Sequence, residues 1–219
     1  MDQTPFQIPA PTLDTRERLL RAAKTLMAQQ GYEQTTTSAL VREAGTSESQ
    51  LVRHFGSKVG LLQALFESAW KSLNPRLRVL VKTAPDAFNA ILEVFALFLD
   101  LLNTDTELAI LLLFESRRLR KEEQVVWLSP GYRSFEKLLY ILVRRCQQEG
   151  RLDPHLHPTA LLAALMGAAE GMIRERLFHL HQGHEAKFDL SDIRRVFTRL
   201  LGQGAACEPA LAIPPQHST

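Results

Sequence analysis

The chain has 219 residues, of which 45% are hydrophobic, and a formal net charge of +2 at pH 7. This length and composition suffice for one large or two modest domains with a packed core, and they exclude a small scaffold that needs disulfides to fold. The small net charge does not by itself indicate nucleic acid as a partner, so any affinity for DNA has to come from the placement of a few cations.

The first predicted element is a helix that follows a loose arm. Residues 1–14 hold three prolines and no periodic apolar face, so we expect them to form a flexible arm. The spacing of apolar residues then predicts a helix over residues 15–30, with Thr15 as its cap and Gly31 as its end. The inward stripe of this helix is Leu19, Ala22, Ala23, Leu26 and Met27.

Two short helices joined by a tight turn are predicted next, over residues 36–55. Thr36 has a hydroxyl that can cap the first, and Gly45 can adopt the left-handed conformation that ends it. Ser47 restarts the chain, and Gln50, three residues later, offers the second half of a capping box. Two helices joined so closely cross at a large angle, and a short polar helix presented in this way suits the DNA major groove.

A fourth helix is predicted from Ser57, its cap, to Trp70. Its apolar stripe is Leu61, Leu62, Leu65, Phe66 and Ala69. Pro75, in the polar segment that follows, predicts a bend or a junction there, and we place the domain boundary near residue 72.

The remainder is predicted to be helical. Pro85 suits the first turn of a strongly apolar helix, and further helices are expected over residues 105–119, 132–149, 159–181 and 191–201. A membrane span over residues 87–114 is the alternative, but Glu93, Asp100 and the polar break at 103–107 divide it into pieces too short to cross a bilayer. Core helices are the better interpretation, with a disordered tail over residues 203–219.

The residues GYEQTT and REAGTSESQLVRHFGSKVGLLQAL resemble the DNA-binding head of the TetR family of bacterial transcriptional regulators. The resemblance covers roughly residues 15–70 and combines several spaced features. It implies an all-α fold with a three-helix, helix-turn-helix head at 15–72 and a larger helical ligand-binding and dimerisation domain at 73–202. It also implies a homodimeric repressor that binds a palindromic operator and is released by a small-molecule effector.

By matched position, the resemblance implies which head residues contact DNA. The base-facing set is Glu48, Ser49, Gln50 and Arg53, and the set facing the DNA backbone is Thr37, Thr46, His54 and Lys58. Each base contact has an alternative: Glu48 can serve the helix dipole, Gln50 the capping box and Arg53 a phosphate. Val52 stands where the family usually has a phosphate-touching tyrosine, and Thr46 replaces a small apolar residue.

In the second domain, the helix over residues 159–181 is rich in alanine and glycine, which allow another helix to approach closely. Together with the last helix it is the predicted dimer face, and the resembled family uses its last two helices in this way. If the resemblance holds, the same domain binds an effector that is largely apolar. The candidate cavity residues, each of which can equally be ordinary core, are Phe95, Phe98, Leu112, Trp127, Tyr132, Phe135, Met166 and Glu170.

Other functional classes find less support. Histidines 155, 157, 179, 181 and 184 lack the cysteine or carboxylate partners of a metal site, so we expect neither a metal nor a cofactor. We find no sequence pattern of an enzyme, although catalytic groups assembled from distant positions, or a helical protein adaptor, remain the alternatives. Cys146 and Cys207 show no metal spacing, and the N-terminus lacks the pattern of a secretory signal. A cytoplasmic location follows as the expectation.

Overall fold

The fold was described from a computed structural model, which covers residues 13–115, 119–120, 125–126, 128–181 and 188–202. Helices dominate the described residues, in agreement with the predicted all-α class; a two-residue antiparallel ladder pairs Leu119 with Val126 and Arg120 with Val125. The helices are α1 (Thr15–Gln30), α2 (Thr37–Glu43), α3 (Glu48–Phe55), α4 (Lys58–Thr83), α5 (Ala87–Thr104), α6 (Thr106–Glu115), α7 (Pro130–Gln148), α8 (Pro158–His181) and α9 (Leu190–Gly202), and the strands are β1 (Leu119–Arg120) and β2 (Val125–Val126).

The chain divides into two compact units. The first comprises Met1–Ser72 and Thr104–Gly131, and the second comprises Leu73–Asn103 and Tyr132–Thr219. α6 therefore belongs to the unit that holds the helix-turn-helix, where it packs against α1. The boundary predicted near residue 72 stays a prediction.

The core of the first unit forms where α1 meets α2, α3 and α6. Leu19, Leu40 and Leu51, one from each of the first three helices, are at most 1% exposed. Polar contacts at the edge join α1 to the start of α6: the Lys24 ammonium lies 2.8 Å from the Asp105 carboxylate, and the Thr25 hydroxyl donates to Glu107 at 3.0 Å. The first helix of the unit is therefore held on two sides.

The same unit contains a buried carboxylate, that of Glu115 at the end of α6. The Trp70 indole Nε1–H donates to one of its oxygens at 2.7 Å, and the backbone N–H of Ser129 donates to the other at 3.0 Å. Because both oxygens accept a hydrogen bond, the cost of burying the group is reduced.

In the second unit, α5, α7 and α9 supply the largest buried side chains. Ile91, Leu142 and Phe197 are at most 1% exposed, and the Phe197 ring stacks on Phe95 with centroids 4.3 Å apart. By length and hydropathy α5 could span a bilayer, the one such helix in the described part of the chain. Eight of its residues are buried, as the interpretation as a core helix predicted.

Three sequence predictions about the helices were wrong in detail. Asp14, not Thr15, caps α1, because Glu17 lies three residues after Asp14 and returns its hydrogen bond. α4 does not end at Trp70, as predicted, but continues through Pro75 to Thr83. Leu73 and Leu77 continue its buried stripe, and burying two leucines contributes about 3–6 kcal/mol, enough to offset the roughly 3 kcal/mol that an interior proline costs. α6 ends at Glu115, before the predicted residue 119.

Cys146 on α7 is expected to resist thiol reagents in the folded chain. Its side chain is fully buried, and burial raises the pKa of the thiol to about 12, with the Glu149 carboxylate adding to the rise. Since the thiolate is the reactive form, labelling by an aromatic disulfide at pH 8 should be more than about 100-fold slower than in denaturant. A Cys207→Ser variant isolates the signal, and rapid labelling of its folded form would contradict the burial of Cys146.

Candidate DNA-binding surface

The turn between α2 and α3 is fixed by its own backbone. Gly45 has a φ of 58°, in the left-handed region that favours glycine. The Thr46 N–H donates to the Val41 carbonyl at 2.9 Å, and the Gly45 N–H donates to the Arg42 carbonyl at 3.2 Å. Thr36 and Ser47 cap the two helices as predicted, by accepting from the Ala39 and Gln50 amides. The helix-turn-helix therefore has one defined geometry.

The inner face of α3 is held against the rest of the unit. Leu51 is 1% exposed, and the guanidinium of Arg16 on α1 lies 5.5 Å from the centroid of the Phe55 ring. A cation over an aromatic face adds a modest attraction to this packing. With its inner side fixed in this way, α3 presents its opposite side at a set angle.

That opposite side consists of the predicted reading residues and one further side chain. Glu48, Ser49, Arg53 and His54 are exposed, whereas Gln50 is half-buried. Val52 lies among them and is 56% exposed. The surface formed by residues 47–50 and 52–54 is called the reading face below.

Hydrogen bonds hold the first turn of the reading face in place. The Ser38 hydroxyl on α2 donates to the Glu48 carboxylate at 3.0 Å, and the hydroxyls of Ser47 and Ser49 lie 2.8 Å apart. Of the predicted capping box, only the Ser47 half forms among the described residues, so the Gln50 side chain is not used in it. Arg53 likewise makes no hydrogen bond or ion pair with the described part of the chain. Two groups suited to base edges are thus available.

Three of the residues predicted to face the DNA backbone lie at the start of α2, in the turn and at the end of α3. Thr37 begins α2, Thr46 lies in the turn, and both side chains are half-buried. His54 is exposed in the last turn of α3. Hydroxyl and imidazole groups in these places are of the kind that bind phosphate oxygens.

Lys58 is placed differently from the other predicted residues. Its ammonium donates to the carbonyls of Tyr32 at 3.0 Å and Thr35 at 2.9 Å, and it lies 4.1 Å from the centroid of the Tyr32 ring. The Thr35 hydroxyl, which is fully buried, donates to the Gly31 carbonyl at 2.7 Å. Two of the three ammonium donors therefore hold the α1–α2 loop, and the third remains for a phosphate.

Replacing Lys58 with methionine is expected to lower the free energy of unfolding by about 1.5–3 kcal/mol, the range for hydrogen bonds to a charged group. Urea unfolding measures this, with Lys71→Met, an exposed lysine of α4, as the control. The salt dependence of DNA binding tests the phosphate contact separately: losing one such contact reduces the slope of log K against log salt by about 0.9. Unchanged stability would contradict the loop contact, and an unchanged slope would contradict the phosphate contact.

Sequence reasoning missed Ser38 and left Val52 out of the DNA-contacting set. Val52 was placed on the flank of the exposed side but given no contact, because it stands where the family usually has a tyrosine, although it lies three residues from Ser49. Ser38 carried no signal of its own, because its contact with Glu48 depends on the crossing angle of α2 and α3, which local sequence does not set.

The predicted effector residues do not all lie in one unit. In the second unit, the Phe98 and Phe135 rings have centroids 5.1 Å apart, and Tyr132 meets Phe135 edge-on at 6.1 Å. Met166 and Glu170 lie half-buried on α8. Leu112 belongs to α6 in the first unit, and Trp127 lies outside the described residues. The structure thus brings three aromatic residues of the set together.

Along one side of α8, two glycines are followed by two large exposed residues. Gly167, Arg174 and Phe178 are exposed, and Gly171, between them at helical spacing, is half-buried. Val196 on α9 is 40% exposed, while its neighbour Phe197 is fully buried. The dimer face below means these residues, Gly167, Gly171, Arg174, Phe178 and Val196.

Comparison with known proteins bears on the whole chain. The family model of bacterial regulatory proteins, tetR family, matches residues 19–65, which include α2, α3 and most of α1. The chain is 30% identical over 167 residues to the nucleoid occlusion factor SlmA of Vibrio cholerae serotype O1, a match that covers 74% of this chain and 83% of that protein.

Two solved structures share the fold at lower identity. The fatty acid degradation regulator FadR from Bacillus halodurans has a TM-score of 0.71 at 18% identity, over 90% of this chain and 97% of that one. The transcriptional regulator FadR from Bacillus subtilis, in complex with stearoyl-CoA, has a TM-score of 0.72 at 20% identity, over 85% and 97%. Their likeness extends well beyond the head, into the second unit.

Proposed function

Because the chain belongs to the tetR family of bacterial regulatory proteins, it is a DNA-binding regulator, and we propose that it is a homodimeric repressor released from its operator by a small-molecule effector. The observation that carries the DNA-binding part is the reading face: its inner side is fixed by Leu51, and its outer side offers side chains suited to base edges. We also propose that it acts without catalysis and in the cytoplasm.

Each residue of the reading face except Ser47 has a proposed partner on DNA. Arg53 donates to the two acceptors of guanine, Gln50 pairs with adenine, and Glu48 accepts from cytosine. Val52 supplies an apolar contact for a thymine methyl group. Ser49 can pair with more than one base, and Thr37, Thr46, His54 and the third donor of Lys58 serve the phosphates.

The dimer is proposed to form through α8 and α9. The small residues of α8 let the same helix of a second copy approach closely, and the exposed Phe178 and Val196 lose contact with water there. Two such helices from each copy make a four-helix interface. The two reading faces then meet successive major grooves, which is why a palindromic operator is expected.

The effector site is proposed among the aromatic residues of the second unit. The cluster of Phe98, Tyr132 and Phe135, taken with Phe95 on α5 and with Met166 and Glu170 on α8, is mostly apolar with few polar groups. Such a lining is typical of sites for largely apolar ligands. The structural relative from Bacillus subtilis, seen with stearoyl-CoA, supports a ligand of this character.

Sequencing the genomic fragments that the purified dimer retains tests the proposal. We expect a small set of fragments that share a palindrome and dissociate from the protein as the salt concentration rises. They should lie upstream of genes whose transcripts rise when the gene for this protein is deleted. Retention of every fragment alike, or none at low salt, would contradict a repressor with a specific operator.

A second candidate function is nucleoid occlusion, favoured by the 30% identity to SlmA over most of both chains. The phenotype of a deletion distinguishes the two. Deleting a repressor changes the transcripts of the genes beside its binding sites, whereas deleting a nucleoid occlusion factor changes where septa form relative to the chromosome.

A further inference from the structure

We propose that a cavity beside the α1–α2 loop of the first unit binds a small amphipathic organic cation. The cavity has a volume of about 450 Å³, within the range of small-molecule sites. All its described lining residues belong to the first unit, so it is separate from the effector site proposed in the second.

The floor of the cavity is apolar and comes from three helices. Met27 of α1, Phe66 of α4 and Leu111 of α6 are buried in the fold and have edges toward the opening, with Leu62 and Ile110 beside them. Tyr32 adds an aromatic wall. An occupant with a flat apolar body would remove this surface from water, which favours binding.

The mouth of the cavity carries one charge among its described residues, the carboxylate of Glu33. That side chain is exposed and makes no ion pair with the described part of the chain. The ammonium of Lys58, 4.1 Å from the centroid of the Tyr32 ring, already donates to two carbonyls. An apolar floor beneath an unpaired carboxylate complements a molecule with an aromatic body and a positive head.

A ligand bound in the cavity would affect the reading face through the α1–α2 loop. Gly31, Tyr32, Glu33 and Gln34 form one wall, and the chain continues directly into Thr36, the cap of α2. A ligand that packs against this wall restrains the segment from which the helix-turn-helix begins. The site is thus placed to influence DNA binding without the second unit.

The test uses the full chain labelled with ¹³C at the methionine methyl groups. Of its four methionines, Met27 lines the cavity, Met172 on α8 is the internal control, and Met166 on α8 reports separately on the effector site proposed in the second unit. The probes are 1-naphthylmethylamine, the neutral 1-naphthylmethanol and the anionic 1-naphthoate. We expect a saturable shift of the Met27 signal with a Kd on the order of 1 mM for the amine, given its small size. The amine should bind about two- to fivefold more tightly than the alcohol, since Glu33 is exposed, and the anion most weakly.

Two variants complete the test. Glu33→Gln should remove the preference for the amine. Glu67→Gln, which neutralises an exposed carboxylate on α4 outside the cavity lining, should keep that preference. Ile110→Trp should fill the cavity and abolish the Met27 shift while leaving the Met166 and Met172 signals in place. The proposal is overturned if Met27 shows no saturable shift, if the anion binds as tightly as the amine, or if Met166 responds in place of Met27. Operator binding by the same samples is measured separately, so failure of this site is distinguishable from failure of the proposed function.

Discussion

Replacing Phe178 with glutamate is expected to weaken the homodimer by about 30- to 1000-fold, the effect of losing an aromatic anchor from an interface. The ring is 56% exposed at one end of the dimer face. In an assembly with twofold symmetry each substitution occurs twice, so two carboxylates would also replace two rings on the same interface. Operator affinity should fall in parallel, because a monomer engages only one half-site. Sedimentation equilibrium and operator titration measure the two effects.

The matched control is Ile141→Glu on α7, which places the same charge at an apolar residue that is 48% exposed in the same unit. It should leave both dimerisation and operator binding unchanged. If Ile141→Glu separates the dimer and Phe178→Glu does not, the interface lies on α7 and the proposed pairing of α8 with α9 is wrong.

Replacing Arg53 with alanine should weaken operator binding by about 1–3 kcal/mol, or roughly 5- to 150-fold. The guanidinium is exposed on the reading face and makes no hydrogen bond or ion pair with the described residues, so its removal breaks no such bond among them. If it reads guanine, the loss should be confined to operators with that base, and base preference at one position should relax. Titrations against the operator and against a single-base variant measure this.

The control for Arg53 is Arg76→Ala, an exposed arginine in the part of α4 that belongs to the second unit. It should leave operator affinity within about twofold, since a surface substitution away from the site changes little. An equal loss for Arg53→Ala on every DNA sequence, with a shallower salt dependence, would mark Arg53 as a phosphate contact.

Local signals predicted most of the helices. Thr36, Gly45 and Ser47 act within a few residues of where they lie, and each has the role that its side chain or backbone freedom predicts. The signal for Asp14 was equally local, since Glu17 completes its box, but the neighbouring threonine was preferred to it. The end predicted for the fourth helix at Trp70 was wrong for a different reason: the burial of Leu73 and Leu77 favours a helix that continues through Pro75 against the local preference of proline.

The site was predictable in outline only. Spacing along α3 gives the exposed side of a helix, which is why Ser49 and Arg53 were identified, and those roles stay proposals. Contacts between elements distant in sequence could not be read in the same way. The ammonium of Lys58 reaches carbonyls 23 and 26 residues earlier, and Lys24 reaches Asp105, 81 residues later. No local pattern distinguishes such lysines from solvated ones.

The buried carboxylate of Glu115 makes the end of α6 depend on its neighbours. An anion in the last turn of a helix opposes the negative pole of the helix dipole, so this turn is unfavourable without outside donors. The Trp70 indole and the Ser129 amide supply those donors. Without the indole, one oxygen of this buried carboxylate would lose its hydrogen bond, so we expect the final turn of α6 and the indole contact to form and dissolve together. In a chain whose other tryptophan is replaced by phenylalanine, the fluorescence emission of Trp70 therefore reports whether the end of α6 is folded.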